Sequence, residues 1–287
     1  MSEVTMLFTP RTPRVVAARR LQRRRDREAT GRFLAEGPQA VREALAVPGV
    51  VTELFGTPAA LDRYAELAAL ADGGGVPVSA VTDDALAALA ETLAPQGLVA
   101  VCRHLDAPLA QALDGGPRLV AVLAEIRDPG NAGTVLRTAD AAGAGAVVFA
   151  GDAVDPYNGK CVRASAGSLF HVDVVRADDP IEVVAALRAA GLAVLATTGY
   201  GDEDLDDLAD AGRLAAPTAW LFGSEAHGLP PALIEAADAR VRVPLHGRAE
   251  SLNLAAAAAV CLYSSAKAQR RPGSGRANVT TGETSRP

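Results

Sequence analysis

The chain has few of the residues that cross-link a protein or anchor it in a membrane. Its 287 residues include three cysteines (Cys102, Cys161 and Cys261), too few and too widely spaced for a disulfide framework or a zinc site. The sequence contains no uninterrupted run of about 18 apolar residues, the length that would predict a membrane-spanning helix. The amino-terminal MSEVTMLFTPRTPR lacks the basic-then-apolar order of a signal peptide. We therefore expect a cytoplasmic protein with no metal and no membrane partner.

Several common catalytic motifs are also missing. The dinucleotide fingerprint G-x-G-x-x-G, the P-loop, the G-x-S-x-G elbow and the H-E-x-x-H zinc motif do not occur in the sequence. These absences remove most of the support for nicotinamide oxidoreductases and phosphoryl transferases.

Lysine is scarce and the basic charge is unevenly placed. The net charge is −6, and only two of the 28 basic residues are lysines. Residues 1–32 nevertheless carry nine arginines against three acidic residues, a local balance of +6. A basic end on an acidic body favours contact with a polyanion, and the block LQRRRDR makes Arg23, Arg24 and Arg25 candidate RNA-binding residues. A solvated helical face is the alternative.

The pattern of apolar runs predicts two α/β units. We expect a first unit over 1–105, a linker over 106–117, a second unit over 118–270 and a disordered tail over 271–287. Near-continuous apolar strands such as VAVLA are typical of a buried parallel sheet. Strands of the second unit are predicted at 118–124, 146–150, 171–175, 192–197, 218–222 and 240–243. Helices are predicted at 14–29, 58–71, 82–93, 132–142, 181–190, 231–237 and 251–268.

The first loop that carries chemistry spans residues 125–143, EIRDPGNAGTVLRTADAAG. Parallel sheets bind ligands beyond the carboxyl ends of their strands, and this loop follows the first strand of the second unit. Asn131 is placed to cap the next helix. Arg137 lies about two turns into that helix, and its side chain leans back toward the loop. A plain helix cap and a surface arginine are the alternative interpretations.

Two further loops follow later strands. In LFGSEAHGLPPALIEAA, residues 221–237, two glycines bracket a loop with Glu225 at its apex, where it would bind a cation or order a neighbouring loop. In VRVPLHGRAESLNLAAAAAVCLY, residues 241–263, Ser251 is placed to cap a long alanine-rich helix, and Asn253 lies in the first turn.

Three motifs in this order resemble one family. N-x-G-x-x-x-R-x-A at 131–139, F-G-x-E-x-x-G at 222–228 and V-P-L followed by S-L-N over 243–253 resemble the motifs of the SpoU/TrmH-like ribose 2′-O-methyltransferases of the SPOUT superfamily. DPYNGKCVRASAGSLF, residues 155–170, is similar to the family's stretch between motifs one and two. FLAEGPQAVREAL and APQGLVAVCR are similar to its ribosomal-protein-like substrate-binding domain. The resemblance covers residues 14–268.

The resemblance implies a fold and an activity. The fold is α/β, a C-terminal SPOUT-type parallel sheet with a trefoil knot, preceded by a smaller ribosomal-protein-like α/β domain. The implied cofactor is S-adenosyl-L-methionine, and the implied assembly is a homodimer whose active site takes groups from both subunits. The implied reaction is methylation of a ribose 2′-hydroxyl in 23S rRNA, with a uridine as the expected target.

Some aspects of the substrate stay open. RNA rather than DNA follows from the reaction, because only RNA supplies a 2′-hydroxyl. The two-domain architecture is similar to rRNA methyltransferases that confer resistance to avilamycin or thiostrepton. The sequence alone determines neither the target nucleotide nor a resistance role, and tRNA is the alternative substrate.

The resemblance also assigns roles to residues. Arg137 matches the family's proposed base, a demanding role because a free guanidinium stays protonated above about pH 12. Positioning of the ribose or phosphate, with water or phosphate accepting the proton, is the alternative. The other implied catalytic residues are Asn131, Glu225, Ser251 and Asn253. Cofactor contacts are implied for Phe222, Gly223, Val243, Leu245 and Leu252. Phosphate contacts are expected for Lys160 and Arg163, with plain surface charges as the alternative.

Two other classes of function compete with this hypothesis. A non-catalytic RNA-binding protein would be expected to have degraded motif loops, whereas all three motifs are intact here. A small-molecule α/β enzyme with an atypical nucleotide loop is the second. Binding of S-adenosylmethionine distinguishes the first alternative, and methyl transfer to rRNA distinguishes both.

Overall fold

The computed structural model describes residues 7–270 of the chain, and the predicted tail, residues 271–287, lies outside them. Two separate β-sheets with flanking helices organise the described residues. Within this range no helix combines the length and the apolar character that crossing a membrane requires.

The first sheet is mixed and has four strands. Its strands are β1 (Arg32–Glu36), β2 (Val51–Gly56), β3 (Val78–Ala80) and β4 (Leu98–Arg103). The order is β1-β4-β2-β3, with β4 antiparallel to both of its neighbours and β2 parallel to β3. The surrounding helices are α1 (Pro13–Arg20), α2 (Arg24–Thr30), α3 (Pro38–Ala46), α4 (Pro58–Arg63), α5 (Ala65–Gly73) and α6 (Asp83–Leu89).

The second sheet has seven parallel strands, which confirms the predicted parallel sheet. They are β5 (Leu119–Ala124), β6 (Ala146–Ala150), β7 (Asp173–Ala177), β8 (Ala193–Thr197), β9 (Glu203–Asp204), β10 (Thr218–Phe222) and β11 (Ala239–Arg242). Its helices are α7 (Leu109–Asp114), α8 (Pro129–Ala142), α9 (Gly159–Ser165), α10 (Pro180–Ala189), α11 (Leu205–Asp210), α12 (Pro231–Ala236) and α13 (Leu254–Arg270). Two short 3-10 turns lie at Ser168–Phe170 and Arg213–Ala215.

The strand order brings the three motif loops to one edge. The order is β7-β6-β5-β10-β8-β11-β9, so β5, β10 and β11 lie within four adjacent positions. The loops that leave their carboxyl ends therefore converge, as expected for ligand-binding loops of an open parallel sheet. Helix α13 then packs against α8, the helix that follows the first loop.

The basic amino-terminal segment differs from the single helix predicted over 14–29. It forms α1 and α2, separated by a turn at 21–23. The backbone N–H groups of Leu21, Gln22 and Arg23 each donate to a carbonyl three residues earlier, and Leu21 is buried. Burial of Leu21 against the first sheet outweighs the local helical pattern.

Residues 106–117, predicted as a linker, contain a helix that packs against the second sheet. The α7 side chains of Leu109, Ala112 and Leu113 join the apolar core beside β6 and α10. Their i, i+3, i+4 spacing makes one apolar face. The dipeptide Gly115-Gly116 lies just after this helix, so the turn chemistry marks its end.

A buried polar contact joins the two units. Arg27 of α2 donates to Asp155 with Nε at 2.8 Å and Nη2 at 2.6 Å, and both side chains are 3% exposed. Beside this pair, the ring of Phe33 packs on Tyr157 with centroids 4.8 Å apart. Burial holds the pKa of the Tyr157 hydroxyl far above its usual value. The Tyr157 hydroxyl donates to Asp106 as a neutral group. The first unit therefore packs on the second through contacts that include the buried Arg27–Asp155 pair.

Candidate active site

Helix α8 begins with a carboxylate cap. The Asp128 side chain accepts from the backbone N–H of Asn131 at 2.8 Å, so Asp128 caps the helix, and the predicted cap at Asn131 is wrong. Lys160 donates to the other Asp128 oxygen at 2.9 Å, and this contact holds the pKa of Asp128 below its ordinary value. Because Asp128 occupies the cap position, the Asn131 side chain is free to face the neighbouring loop.

The Asn131 side chain links the first loop to the second. Its Nδ2 donates to Glu225 Oε1 at 2.6 Å across 94 residues of sequence. Glu225 lies at the tip of its loop and contacts the first loop, and its predicted role in ordering that loop stays a prediction. A carboxylate that accepts an amide proton at this distance makes a strong, charge-assisted hydrogen bond.

Two glycines shape the Glu225 loop. A Cβ on Gly223 would lie 2.2 Å from the carbonyl carbon of Gly228, so only glycine permits this close backbone approach. Gly228 has a φ of +68°, which favours glycine. Ser224 and Gly228 exchange backbone hydrogen bonds of 3.0 and 2.8 Å, which close the loop and present Glu225 outward.

The third loop also reaches Asn131. Asn253 Nδ2 donates to Asn131 Oδ1 at 3.1 Å, across 122 residues of sequence. The Asn253 side-chain oxygen Oδ1 accepts from the backbone N–H of Ala255 at 2.9 Å at the start of α13. Asn253 therefore performs the capping predicted for Ser251, which lies outside the helix and is exposed. We define Asn131, Glu225 and Asn253 as the motif network.

Arg137 stands apart from the motif network. It lies six residues after Asn131 on α8, about 9 Å further along the helix axis. Its side chain is exposed, and within residues 7–270 it makes no hydrogen bond or ion pair. The guanidinium is therefore available to an incoming anion.

The predicted cofactor residues fall into two groups. Phe222 is fully buried and Val243 packs partly buried against the core, so these side chains stabilise the strands that carry the loops. Gly223 contributes backbone only, whereas Leu245 and Leu252 are each 40% exposed. Loop backbone together with exposed apolar side chains fits a nucleoside ligand such as S-adenosylmethionine.

The predicted RNA-binding residues also divide. Arg23, Arg24 and Arg25 are exposed at the start of α2. Arg163 pairs with Glu36 and Glu91 of the first unit, each at 3.2 Å. Arg163 and Lys160 therefore each pair with carboxylates of this chain. A phosphate contact stays a prediction for both residues.

Two features of the site escaped the sequence interpretation. Asp128 was not singled out from the sequence, although aspartate before proline is a common helix start. Glu125 has a φ of +55°, a backbone conformation rare for a side-chain-bearing residue, where the chain leaves β5. No sequence pattern signals such a conformation at a glutamate. Strain of this kind is typical of functional loops.

Comparison with known proteins identifies the family of the chain. The SpoU rRNA Methylase family matches residues 118–263, about half of the chain. The MRM3-like substrate binding domain matches residues 12–100. The chain belongs to the SpoU rRNA Methylase family.

Two curated relatives and one solved structure align with between about half and nine tenths of the chain. A 23S rRNA (guanosine(2553)-2′-O)-methyltransferase from Bacillus subtilis (strain 168) is 36% identical over 250 residues, covering 85% of this chain and 92% of the relative. A 23S rRNA (uridine(2479)-2′-O)-methyltransferase from Streptomyces viridochromogenes is 42% identical over 157 residues, 53% of this chain and 52% of the relative. The AdoMet-bound rRNA methyltransferase from Sinorhizobium meliloti aligns with a TM-score of 0.76 at 32% identity, covering 89% of this chain and 95% of that one.

The motif network gives a first testable prediction for this SpoU protein. We expect Asn131→Ala, Glu225→Ala and Asn253→Ala each to lower kcat/KM for methyl transfer by about 10- to 100-fold. Each change removes a hydrogen bond that involves a charged group or leaves its partner unpaired, on the order of 1.5–3 kcal/mol. Steady-state kinetics with labelled S-adenosylmethionine measure this effect.

Asp206→Ala, a change at an exposed residue of α11, is the matched control and should stay within about twofold of wild type. The Asn131→Ala/Glu225→Ala double variant should lose less than the product of the single losses, because the two side chains share one bond. Small and equal effects at all four positions would contradict a joint role for the motif network.

Proposed function

We propose that this protein transfers the methyl group of S-adenosylmethionine to a ribose 2′-hydroxyl of 23S rRNA. The observation that carries the proposal is the motif network, which joins the three SpoU motif loops at one sheet edge. Family membership and the 23S rRNA substrates of the relatives support it. A ribosomal substrate also supports a cytoplasmic location.

The residues divide the chemical work. S-Adenosylmethionine, when bound, supplies an electrophilic methyl group on its sulfonium. Transfer to the ribose 2′-oxygen would break the methyl–sulfur bond, release S-adenosylhomocysteine and require the hydroxyl proton to leave as the new bond forms. Because a guanidinium keeps its proton in water, we assign Arg137 to holding the ribose or its phosphate while water takes the proton. The motif network keeps the loops in one arrangement, and Leu245 and Leu252 would cover the adenosine.

Methylation of ribosomal RNA by the full-length protein tests this function. Labelled cofactor should transfer one methyl group per 23S rRNA, and primer extension at limiting nucleotide should stop at one ribose. The two relatives modify a guanosine and a uridine, and both present the same 2′-hydroxyl. A uridine target and a resistance role stay predictions that the mapped position will decide. Binding of the cofactor without transfer to any RNA would contradict the proposal.

We further propose that the amino-terminal arginines supply RNA affinity. Reversing Arg23, Arg24 and Arg25 to glutamate should weaken RNA binding and flatten its salt dependence. Cations that neutralise phosphates release counterions, so losing three such contacts should lower the slope of log K against log salt by about 2–3. Fluorescence anisotropy of labelled rRNA over a salt series measures this slope.

A single reversal at Arg63, an exposed arginine of α4, provides the control for the arginine series. It should leave the slope unchanged, whereas Arg24→Glu alone should lower it by about 0.7–0.9. Equal slopes for the Arg24 and Arg63 variants would assign the basic segment to a solvated surface.

We also propose a homodimer and a knotted chain. Helix α13 leaves Val260 and Tyr263 exposed on one face, which supports a partner there. Strand β10 inserts between β5 and β8, and α13 returns to α8, a chain course that supports the trefoil knot. Analytical ultracentrifugation should give twice the 29.3 kDa chain mass.

A further inference from the structure

His171 lies where the two units of the chain meet. It follows the 3-10 turn Ser168–Phe170 and precedes β7. Its Nδ1 lies 2.8 Å from Asp140 Oδ2 on α8, and its Nε2 lies 3.1 Å from Glu43 Oε2 on α3. The ring thus bridges a helix of the substrate-binding unit and the helix that carries Asn131 and Arg137.

Both partners of the ring are hydrogen-bond acceptors. Ionised carboxylates only accept, and a neutral imidazole donates from just one nitrogen. The two contacts therefore form together only when His171 carries two protons and a positive charge. The hydrogen bond to Asp140 has the largest effect and raises the pKa of His171. Burial lowers this pKa by less, and the hydrogen bond to Glu43 raises it again, so the pKa lies above its ordinary value.

The charged surroundings of the ring are simple. Glu43 from α3 and Asp140 from α8 are the groups that face it, and Gln39 donates its neutral amide to the other Glu43 oxygen at 2.7 Å. Among residues 7–270, no lysine or arginine pairs with either carboxylate. The bridge therefore depends on the histidine proton alone.

The approach of Glu43 to the ring requires a glycine. A Cβ on Gly167 would lie 2.5 Å from Glu43 Cγ, and Gly167 has a φ of +101°. Other ion pairs across the interface use arginines, Arg27 with Asp155, Arg163 with Glu36 and Arg176 with Glu28, which stay charged at any physiological pH.

We propose that His171 is a positioning residue whose doubly protonated ring ties α3 of the substrate-binding unit to α8 of the catalytic unit. This inference rests on the proposed function, because the bridge sets how RNA held by the first unit meets Arg137. The folded-state pKa is raised, so the bridge is complete below the ordinary histidine value of about 6.5. The bridge is lost as the pH rises through the folded-state pKa.

The pH dependence of RNA recognition tests the bridge. For the wild-type enzyme, we expect KM for rRNA to rise about 3- to 10-fold between pH 6.5 and 9, on the order of one weak charge-assisted contact. The pH-dependent change should appear in KM for rRNA, and the affinity for S-adenosylmethionine should stay unchanged. His171→Ala should have the higher KM at every pH.

Glu43→Gln provides the matched rescue. A glutamine amide donates to the neutral ring at Nε2 while Nδ1–H still donates to Asp140, so both contacts form without the extra proton. We expect this variant to keep the low KM across the whole pH range. A KM step that is unchanged in Glu43→Gln would overturn the proposal.

Two readouts without RNA separate this inference from the proposed function. The chain has only four histidines, so NMR can follow the His171 ring through a pH titration. Its pKa should be raised in wild type and fall in Glu43→Gln. Hydrogen exchange of α3 amides, corrected for pH, should increase above the His171 pKa in wild type alone.

An unshifted His171 pKa would overturn the bridge even if the enzyme is active. So would an α3 exchange rate, corrected for pH, that does not change across the His171 titration. A raised pKa and coupled exchange in a protein that methylates no RNA would establish the bridge and overturn the proposed function instead.

Discussion

Arg137→Ala is expected to lower methyl transfer by a factor on the order of 10²–10⁴, with the fold and cofactor affinity retained. Arg137 is exposed and unpaired among the described residues, so its removal leaves no buried group without a partner. Its loss should therefore act on the reaction rather than on stability. Single-turnover transfer to rRNA, calorimetric binding of S-adenosylmethionine and circular dichroism measure the three quantities.

Two variants sharpen the Arg137 prediction. Arg127→Ala is the matched control, since Arg127 lies just before α8 and within residues 7–270 pairs only with exposed Asp152, at 2.8 Å. It should retain nearly full activity. Arg137→Lys keeps the charge but lacks the planar fork, so intermediate activity indicates that the arginine positions an anion. Transfer by Arg137→Ala at nearly the wild-type rate would remove Arg137 from the mechanism.

Arg27→Met is expected to destabilise the protein by about 3–5 kcal/mol. The change leaves the Asp155 carboxylate buried without its cation, and it also removes donors to the Leu21 and Gln22 carbonyls at 2.9 and 3.0 Å. A loss of this size lowers Tm by about 10 °C in a chain of this length. Fluorescence of Trp220, the one tryptophan of the chain and fully buried in β10, reports the transition.

Two control variants test whether the loss of stability in Arg27→Met comes from the buried ion pair. Arg24→Met removes an exposed arginine of the same helix and should shift Tm by at most about 2 °C. The double variant Arg27→Met/Asp155→Leu replaces the ion pair with apolar side chains and should recover most of the lost stability. A Tm for Arg27→Met within about 2 °C of wild type would show that the interface does not depend on this pair.

The sequence did not predict which arginine of the amino-terminal run is buried. Arg23, Arg24, Arg25 and Arg27 look equivalent in LQRRRDR, and all carry the same charge. In the folded chain three are exposed, while Arg27 is 97% buried beside Asp155, 128 residues away. Its partner belongs to the other unit of the chain, so local sequence holds no signal of the difference.

The candidate site shows a similar division. Asn131, Glu225 and Asn253 were each identified from their motifs, because glycine brackets, helix starts and polar residue types are local features. Their hydrogen bonds span 94 and 122 residues and depend on β10 inserting beside β5. The cap at α13 moved from Ser251 to Asn253 because the chain enters the helix two residues later than its pattern indicates.

The sequence by itself determined the parallel sheet, because apolar runs such as those of β5, β6 and β10 remain stable only when both faces are covered. It also determined the order of the motif loops, whose resemblance to the SpoU family implies the reaction class. Tertiary structure alone decided which polar groups meet: the motif network, the buried Arg27 and the His171 bridge. The physical reason is that strand and helix patterns arise from neighbouring residues, whereas hydrogen bonds between distant loops depend on how the strands are ordered in the sheet.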